Sequence, residues 1–493
     1  DVSYTTRLQG TWPRAIDALK RNYLLGSGYS SINIASDNNY LRILGEIGIL
    51  GFFAFCSIFL FFFIYAWKVL PHIENKVVSS MVMGVIAGTF GLMLNAILID
   101  VFEASKVAFT LWLLLGITVG ILHLYRKDKI NYFQEMKRIF LSLPALFLYL
   151  LLFGLTIFLP SFTNYFIGDD FSWLRWAADC RYITGGNACL TPVQTIISYF
   201  TDSQNFFYRP GTKLYFYAMF PFFELFPSTY HFVSFLLHLS ASVLVFFITD
   251  KLMGRRLFAF IAAILFLSLS VHAEAIYWIS VTGHLVAYNA VLFALLLFMY
   301  WRENHKPLLF ALIILSLFVS TFFYEFAVVG PLLIIAYDLI QTKKFSFGLF
   351  REKLYYLLLL SLIPVYYVMR TLAHSFWMQG DYSYSLSDLP FNFAGNSVGY
   401  FLISLFGTGI MPYYQTVREF AVKNIPLAVL GLLIGAAIIV GVTSLIVKHT
   451  NREDKRILLF SLALFLIPLL PFLGLGNIAP RYTYVGSAGV VLL

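Results

Sequence analysis

Two adjacent carboxylates, Asp169 and Asp170, follow the apolar run 139–160 within the stretch Phe-Ile-Gly-Asp-Asp-Phe. A carboxylate can accept the proton of a hydroxyl group while that oxygen forms a new bond, which is general-base catalysis. The second carboxylate could then orient the acceptor or the sugar of a glycosyl transfer. The simpler interpretation is a solvated loop or a helix cap, because aspartate is a preferred capping residue.

More ionisable and aromatic groups recur at the ends of the later apolar runs. The candidates for substrate binding are Arg209, His231, His272, Glu274, Glu325, Arg481 and Tyr482. Arginine is suited to bidentate phosphate binding, so we expect Arg481, and next Arg209, to hold the phosphate of a lipid-linked leaving group. Any one histidine or glutamate could equally be a satisfied interfacial residue. Their shared position at span ends favours a common function, because ionisable groups in a membrane bundle are functional candidates by default.

The elements that must position these groups are apolar. Sixty per cent of the 493 residues are hydrophobic and 12% are charged, whereas a soluble domain carries about 25% charged residues. The apolar runs lie near 43–67, 78–99, 107–124, 139–160, 229–249, 257–271, 284–301, 307–323, 326–340, 354–372, 426–447 and 457–475. In lipid the backbone must satisfy its own hydrogen bonds. The sequence therefore predicts an all-α fold, a polytopic transmembrane helix bundle of about 12–13 spans of roughly 20 residues.

The positive charges predict the orientation of the spans. Lysine and arginine cluster within 125–138, which the positive-inside rule places in the cytoplasm. Alternation of the spans then puts every candidate residue on the outer face, provided that the broken apolar run 395–411 is re-entrant or lies at the surface. The net charge of +9 is explained by this topology, so we expect no nucleic-acid partner. The inner loops lack a glycine-rich nucleotide motif.

The cysteines and the chain ends support three smaller expectations. Cys180 and Cys189 lie in a polar loop and could form a disulfide if that loop faces an oxidising compartment, or stay as thiols. Cys56 lies in an apolar run and is expected to be inert. The chain begins without Met and ends on an apolar stretch, so we expect that both ends are cut from a longer protein.

The order of motifs in 139–493 resembles the GT-C membrane glycosyltransferases. The similarity is strongest to the protein O-mannosyltransferases and their multi-spanning relatives. It implies a polyprenyl-phosphate-sugar donor, an inverting transfer, and Asp169 or Asp170 as the catalytic base. Many members carry Asp-Glu at this place, so Asp-Asp leaves open which carboxylate acts. The resemblance also implies that Arg481-Tyr482 holds the lipid phosphate and that no cofactor is required; a divalent metal is possible but not indicated.

Residues 1–124 carry a different signature, joined to the larger part by the basic linker 125–138. The stretches Leu-Gly-Ser-Gly-Tyr, Asp-Asn-Asn-Tyr-Leu and Gly-Glu-Ile-Gly resemble the last outer loop and closing helices of the O-antigen ligase and polymerase superfamily. Ligases carry a functional histidine where this chain has Asp37-Asn38, which favours a polymerase-like or degenerate relative. Arg7, Arg14 and Arg21 could face a lipid pyrophosphate or anchor the loop at head groups.

Together these features predict an integral multi-pass protein of the bacterial inner membrane, with its active site outside the cytoplasm. We expect it to move a sugar from a polyprenyl-phosphate donor to a glycan, lipid or protein acceptor during cell-envelope glycan or glycoprotein assembly. The alternatives are an O-antigen ligase or polymerase type of enzyme, a transporter of lipid-linked glycans, and an inactive scaffold. A transporter would show charges near mid-span and paired broken helices.

Overall fold

The computed structural model is helical in all its regular elements. It describes residues 7–32, 37–103, 105–126, 132–182, 190–203, 207–342, 354–375, 383–424, 426–427 and 451–493. Within these ranges, eight helices are long and apolar enough to cross a membrane, and a ninth results if the bent pair Arg256–Ser268 and Ser270–Tyr277 is one span. The chain is therefore an integral membrane helix bundle, and this prediction is confirmed. Cys189 lies outside the described residues, so the disulfide stays a prediction.

Among the described residues, the helices long enough to cross a membrane number eight or nine, against 12–13 spans predicted for the whole chain. The run 307–323 forms a helix of 15 residues, Pro307–Thr321. The run 326–340 is divided between a 3₁₀ turn, Glu325–Val329, and the helix Gly330–Gln341. Both are shorter than the roughly 20 residues of a complete crossing. Most of the predicted span 426–447 lies outside the described residues.

The chain consists of two compact units, Asp1–Ser142 and Leu143–Leu493. The boundary between the units lies after residue 142, whereas the predicted linker is 125–138, and the domains assigned to the two parts stay predictions. The helices of the first unit are α1 (Trp12–Arg21), α2 (Asn39–Val69), α3 (Lys76–Asn95), α4 (Ser105–Tyr125) and α5 (Tyr132–Phe140).

Helix α2 is broken at Gly48, where the backbone adopts φ 68° and ψ −171°. The loop after α1 inserts into this break. Ser27 and Gly28 donate to the carbonyls of Gly45 and Glu46, at 2.9 Å each. In turn, the N–H groups of Ile49 and Leu50 donate to the carbonyls of Tyr23 and Leu24, at 2.9 and 3.2 Å. The loop thus replaces hydrogen bonds that a continuous helix would make, which leaves these groups paired within an apolar segment.

The Asp-Asn-Asn-Tyr-Leu stretch ties the start of α2 to the loop before α4. Asn38 caps α2 by accepting from the N–H of Leu41 at 3.0 Å, and its own N–H donates to Asp100 at 3.0 Å. Arg42 lies 3.3 Å from Glu46 and 3.6 Å from Asp100. These contacts give the stretch a structural role. Arg7, expected at a pyrophosphate or at head groups, lies 3.4 Å from Asp37.

The second unit is organised around one buried helix. Its helices are α6 (Leu143–Phe158), α7 (Asp170–Tyr182), α8 (Pro192–Thr201), α9 (Pro210–Phe223), α10 (Pro227–Met253), α11 (Arg256–Ser268), α12 (Ala273–Tyr277), α13 (Thr282–Asn304), α14 (Pro307–Thr321), α15 (Gly330–Gln341), α16 (Tyr355–Leu372), α17 (Leu389–Phe406), α18 (Met411–Lys423), α19 (Arg452–Leu473) and α20 (Pro480–Leu492). The span that contains α13 is 72% buried inside the protein, against 22% for the span that contains α6. Within the second unit, helix α13 is therefore central and α6 is peripheral.

The run 395–411 forms most of α17 and the following 3₁₀ turn Thr408–Ile410. Helix α17 packs against α19 and α20. The buried side chain of Asn396 donates to the carbonyls of Leu473 and Leu475, both at 2.9 Å. These polar contacts attach α17 to the bundle. Whether the run 395–411 is re-entrant or lies at the membrane surface stays a prediction.

We predict that Gly48→Ala destabilises the first unit. A non-glycine residue in this backbone region is strained by about 1–3 kcal/mol, and an added Cβ would lie 2.5 Å from the Gly26 nitrogen. The midpoint of thermal unfolding in detergent should therefore fall. Gly84→Ala in α3 is the control, because no atom lies within 4 Å of its Cβ position. Equal midpoints for the two variants would contradict the role of the break.

Candidate functional site

The segment between α11 and α13, residues 270–281, carries the contacts that connect most of the candidate residues. We call it the connecting segment. It consists of the 3₁₀ turn Ser270–His272, helix α12 and the 3₁₀ turn Ile279–Val281. Leu269 and Trp278 have extended backbone angles, which interrupt the helix on both sides of α12. Successive side chains of the segment can therefore reach different neighbouring helices.

Glu274 of the connecting segment holds the first turn of α20. Its two carboxylate oxygens accept from the backbone N–H of Arg481 at 2.9 Å and from Nη1 of the same residue at 2.6 Å. The first N–H groups of a helix have no partner within the helix, and a carboxylate is favourable at this positive end. Glu274 therefore both caps α20 and forms an ion pair with Arg481.

A second arginine–glutamate pair lies at the start of α9. Arg209 donates through Nε and Nη2 to both carboxylate oxygens of Glu325, at 2.8–3.1 Å. Each side chain is only 12% exposed. Burial alone lowers the pKa of Arg209, but Glu325, together with Tyr324 and Tyr482, raises it above its ordinary value. Arg209 is therefore a permanent cation in this position.

Close backbone packing sets the position of Arg209. The N–H of Gly211 donates to the carbonyl of Phe322 at 2.9 Å, and the hydroxyl of Thr212 donates to that of Phe323 at 2.8 Å. A Cβ on Gly211 would lie 2.9 Å from the Phe323 ring. Glycine at this position therefore allows the Arg-Pro-Gly turn to approach the residues before Glu325.

Two tyrosines connect the two pairs. The guanidinium of Arg209 lies 3.9 Å from the ring centre of Tyr324, and that of Arg481 lies 4.8 Å from the ring centre of Tyr482. Each arginine also interacts electrostatically with the tyrosine of the other. Phe472 stacks on Tyr482 at 3.9 Å. The structure therefore brings together Arg209, Glu325, Glu274, Arg481 and Tyr482 around an aromatic centre.

Both arginines keep donors that the glutamates do not use. Arginine has five N–H groups. Within the described part of the chain, neither Nη1 of Arg209 nor Nε of Arg481 donates a hydrogen bond. The side chains of Arg481 and Glu274 are 18% and 27% exposed. An anion can therefore approach this pair without breaking it.

Asp170 is fully buried at the start of α7. Its carboxylate accepts from the N–H of Ile167 at 3.0 Å, and from the N–H and hydroxyl of Ser280 at 2.7 and 2.5 Å. Burial raises the pKa of the Asp170 carboxyl, and the hydrogen bonds and nearby His231 oppose this shift. Asp170 therefore joins α7 to the connecting segment. His231 is also buried and lies within electrostatic range of Asp170.

Asp169 differs from its neighbour because it is exposed. Its backbone carbonyl accepts from the N–H groups of Ser172 and Trp173, at 3.0 and 3.2 Å. Among the residues that the structure describes, its carboxylate has no hydrogen-bond or ion-pair partner. Neither aspartate bonds to Arg209 or Arg481 there. The expected meeting of acids and arginines is thus indirect in the structure, through the connecting segment, and the catalytic and binding roles stay predictions.

Sequence reasoning missed the polar groups that hold the rest of α20. His272 lies 2.8 Å from the hydroxyl of Ser487, and His238 lies 2.9 Å from the hydroxyl of Tyr484. Arg481, Tyr484 and Ser487 are spaced three residues apart, which places them on one helix face. The recurrence of these three residues at every third position of an apolar helix was the sequence signal that could have indicated the contacts. His272 therefore has a structural partner inside the bundle.

The described residues contain no group of three or more His, Cys, Asp or Glu side chains that could hold a metal ion. No protein-family model, curated protein or solved structure matches the chain. The functional assignment therefore depends on the residues and their geometry.

We predict stability effects of very different size for asparagine substitutions of the two aspartates. In Asp170→Asn, one acceptor oxygen becomes an amide donor that faces another donor, because both carboxylate oxygens accept hydrogen bonds. This change should destabilise the protein by about 1–3 kcal/mol. Asp169→Asn should change stability by less than about 0.5 kcal/mol. Thermal unfolding in detergent measures both, and a stable Asp170→Asn protein would contradict the structural role of Asp170.

We also predict that Glu325→Ala destabilises the second unit strongly. Removal of one partner from a buried ion pair leaves an uncompensated charge and costs about 3–5 kcal/mol. Glu303→Ala is the matched control, since Glu303 is 56% exposed in its pair with Lys251, and exposed pairs contribute about 0–1 kcal/mol. The comparison uses unfolding midpoints of the two purified variants. Similar small shifts for both would show that the Arg209 pair is dispensable for folding.

Proposed function

We propose that the unit Leu143–Leu493 is a membrane glycosyltransferase that uses a polyprenyl-phosphate-linked sugar. The observation that supports this most directly is the pair of arginines held by glutamates around Tyr324 and Tyr482, with donors left over for an anion. An exposed carboxylate, Asp169, adjoins Asp170, which is bonded to the connecting segment that also carries Glu274. A phosphate leaving group and a hydroxyl acceptor need these two kinds of group.

The proposed reaction is a direct displacement at the anomeric carbon. The acceptor hydroxyl oxygen forms the new bond to C1 of the sugar, and its proton passes to the Asp169 carboxylate. The C1–O bond to the lipid phosphate breaks, and its electron pair stays on the phosphate oxygen. The configuration at C1 is inverted. Arg481 then neutralises part of the charge that develops on the polyprenyl phosphate.

The two aspartates have different roles in this proposal. Asp169 is exposed, so a substrate hydroxyl can reach its carboxylate. Asp170 has both carboxylate oxygens occupied by Ile167 and Ser280, so it positions the start of α7. In this proposal Asp169 is therefore the base, and Asp170 is a positioning residue.

Arg481 is assigned to the lipid phosphate in preference to Arg209. Its pair is the more exposed of the two: Arg481 is 18% and Glu274 27% exposed, against 12% for Arg209 and Glu325.

The wider assignment places the active site on the extracytoplasmic face of a bacterial inner membrane, in envelope glycan or glycoprotein assembly. The acceptor is a glycan, a lipid or a protein. A second candidate is transport of a lipid-linked glycan, which the broken helix α2 favours, because discontinuous helices form binding sites in transporters. If the chain is a transporter, labelled lipid-linked sugar should cross the membrane of proteoliposomes, and no glycosidic product should form.

We predict that Asp169→Asn abolishes most sugar transfer while the protein stays folded. Loss of a general base lowers the rate by about a hundredfold to ten-thousandfold. The assay uses the purified chain, radiolabelled polyprenyl-phosphate hexoses and candidate acceptors, with product separated from lipid. Asp388→Asn is the control, because Asp388 is an exposed aspartate at the start of another helix, α17. Full activity of Asp169→Asn would reject Asp169 as the base.

A further inference from the structure

Exposed apolar side chains lie on both sides of Asp169 in the sequence and recur in a neighbouring turn. They belong to the loop between α6 and α7 and to the last residues of α9 with the turn that follows. Each is between 56% and 82% exposed. The six side chains, which we call the apolar rim, are Tyr165, Ile167, Phe171, Phe222, Leu225 and Phe226. Exposed apolar groups of this kind mark a surface for a membrane or for another protein.

The two stretches of the apolar rim pack on one side chain, that of Tyr230 in the first turn of α10. Its ring centre lies 5.8 Å from that of Phe166 in the loop and 5.2 Å from that of Phe223 in α9. Its hydroxyl donates to the carbonyl of Glu224 at 3.1 Å. Because Tyr230 is fully buried, it holds both stretches at the same end of the bundle.

The apolar rim lies at the ends of two candidate membrane spans. The span Leu143–Thr163 ends two residues before Tyr165, and the span Pro227–Met253 begins directly after Phe226. An extended residue covers about 3.5 Å, so Tyr165 and Phe226 lie within roughly 7 Å of these span ends. This distance is about the thickness of the head-group layer on one side of a bilayer.

The composition of the loop also favours lipid as its neighbour. Residues 159–174 include two charged residues, Asp169 and Asp170, and the carboxylate of Asp170 is satisfied inside the protein. Phenylalanine and leucine side chains, which make up four of the six rim residues, are typical of surfaces that lie at the boundary between head groups and acyl chains. The exposed carboxylate of Asp169 therefore stands in an apolar surrounding at the level of the head groups.

The apolar rim adjoins the proposed base and not the arginines assigned to the donor. Asp169 lies between Ile167 and Phe171 of the rim. Within the described residues, neither aspartate bonds to Arg209 or Arg481. A molecule that contacts the rim is therefore placed for the step in which the acceptor loses its proton.

We propose that the apolar rim lies in the head-group layer and that the sugar acceptor is a membrane lipid with a hydroxylated head group. This inference rests on the proposed function, because it assigns that head group to the carboxylate of Asp169. The head-group oxygen forms the bond to C1 of the sugar, and its proton passes to Asp169. The C1–O bond to the polyprenyl phosphate breaks, and its electron pair stays on the phosphate oxygen. The product is the acceptor lipid with one more sugar.

The test compares lipids with their own head groups in soluble form. The purified full chain is placed in nanodiscs with a radiolabelled polyprenyl-phosphate hexose. The lipid acceptors are phosphatidylglycerol, phosphatidylinositol and glucosyl diacylglycerol, and their soluble counterparts are glycerol phosphate, inositol phosphate and methyl glucoside. We expect transfer to at least one lipid to exceed transfer to its soluble counterpart by roughly tenfold or more, because the soluble molecule lacks the apolar contacts.

The variant Ile167→Ser/Phe171→Ser removes two apolar side chains of the rim and keeps Asp169. The KM for the lipid acceptor should rise by roughly tenfold, because apolar burial is lost, while kcat changes little. Leu308→Ser is the matched control and should keep the KM. Leu308 is also exposed, but it lies in the first turn of α14, beyond the end of α13 that is remote from the connecting segment. Size-exclusion profiles check that the variants are folded.

A second measurement does not depend on activity. In Tyr165→Trp, the fluorescence added relative to the unchanged chain should be quenched by lipids that are brominated on the acyl chains near the head group. Acrylamide in solution should quench it little, because the rim is covered by lipid.

Three outcomes would overturn the inference while sugar transfer itself stands. They are equal transfer to the soluble head groups, an unchanged KM in Ile167→Ser/Phe171→Ser, and added fluorescence that acrylamide quenches but brominated lipid does not. Absence of transfer to every acceptor, lipid or soluble, would instead reject the proposed function and the inference with it.

Discussion

The contact between Glu274 and Arg481 determines how the second unit presents its charged groups. A charge inside a membrane protein must be paired, because transfer from water to a medium of low dielectric constant costs several kcal/mol per ion. Glu274 meets this requirement twice, since it accepts from both the backbone and the guanidinium of Arg481. The start of α20 is therefore fixed relative to the connecting segment, and Tyr482, Tyr484 and Ser487 follow in register.

The same constraint explains the arrangement of the other candidates. Arg209 pairs with Glu325, and Asp170 is satisfied by three hydrogen-bond donors. Because the buried charges are paired in this way, the groups that could bind or react with a substrate are those with unused hydrogen-bond donors or acceptors. Among the described candidate residues, these include the carboxylate of Asp169 and the unused N–H groups of the arginines. The proposed sugar transfer would therefore use the groups that remain in a network whose first role is stability.

The first unit must also pair polar groups within an apolar segment, and it does so through backbone hydrogen bonds. Gly48 interrupts α2, and a loop supplies the hydrogen bonds that the helix loses there. The glycines that the sequence places at 26 and 48 allow the two backbones to approach, because a Cβ at either position would collide with the other segment. The Asp-Asn-Asn stretch caps α2 and binds the loop before α4.

The sequence alone determined that this is a helical membrane protein, because the apolar content and the length of the runs are local properties that hydropathy measures directly. It also indicated which polar residues stand at the ends of the runs. Only the tertiary structure decided their partners. Glu274 and Arg481 are 207 positions apart, and Asp170 and Ser280 are 110 apart. Such pairings depend on helix packing, which no local pattern encodes. For the same reason Asp169 and Asp170, equivalent in the sequence, differ in burial and in the chemistry available to them.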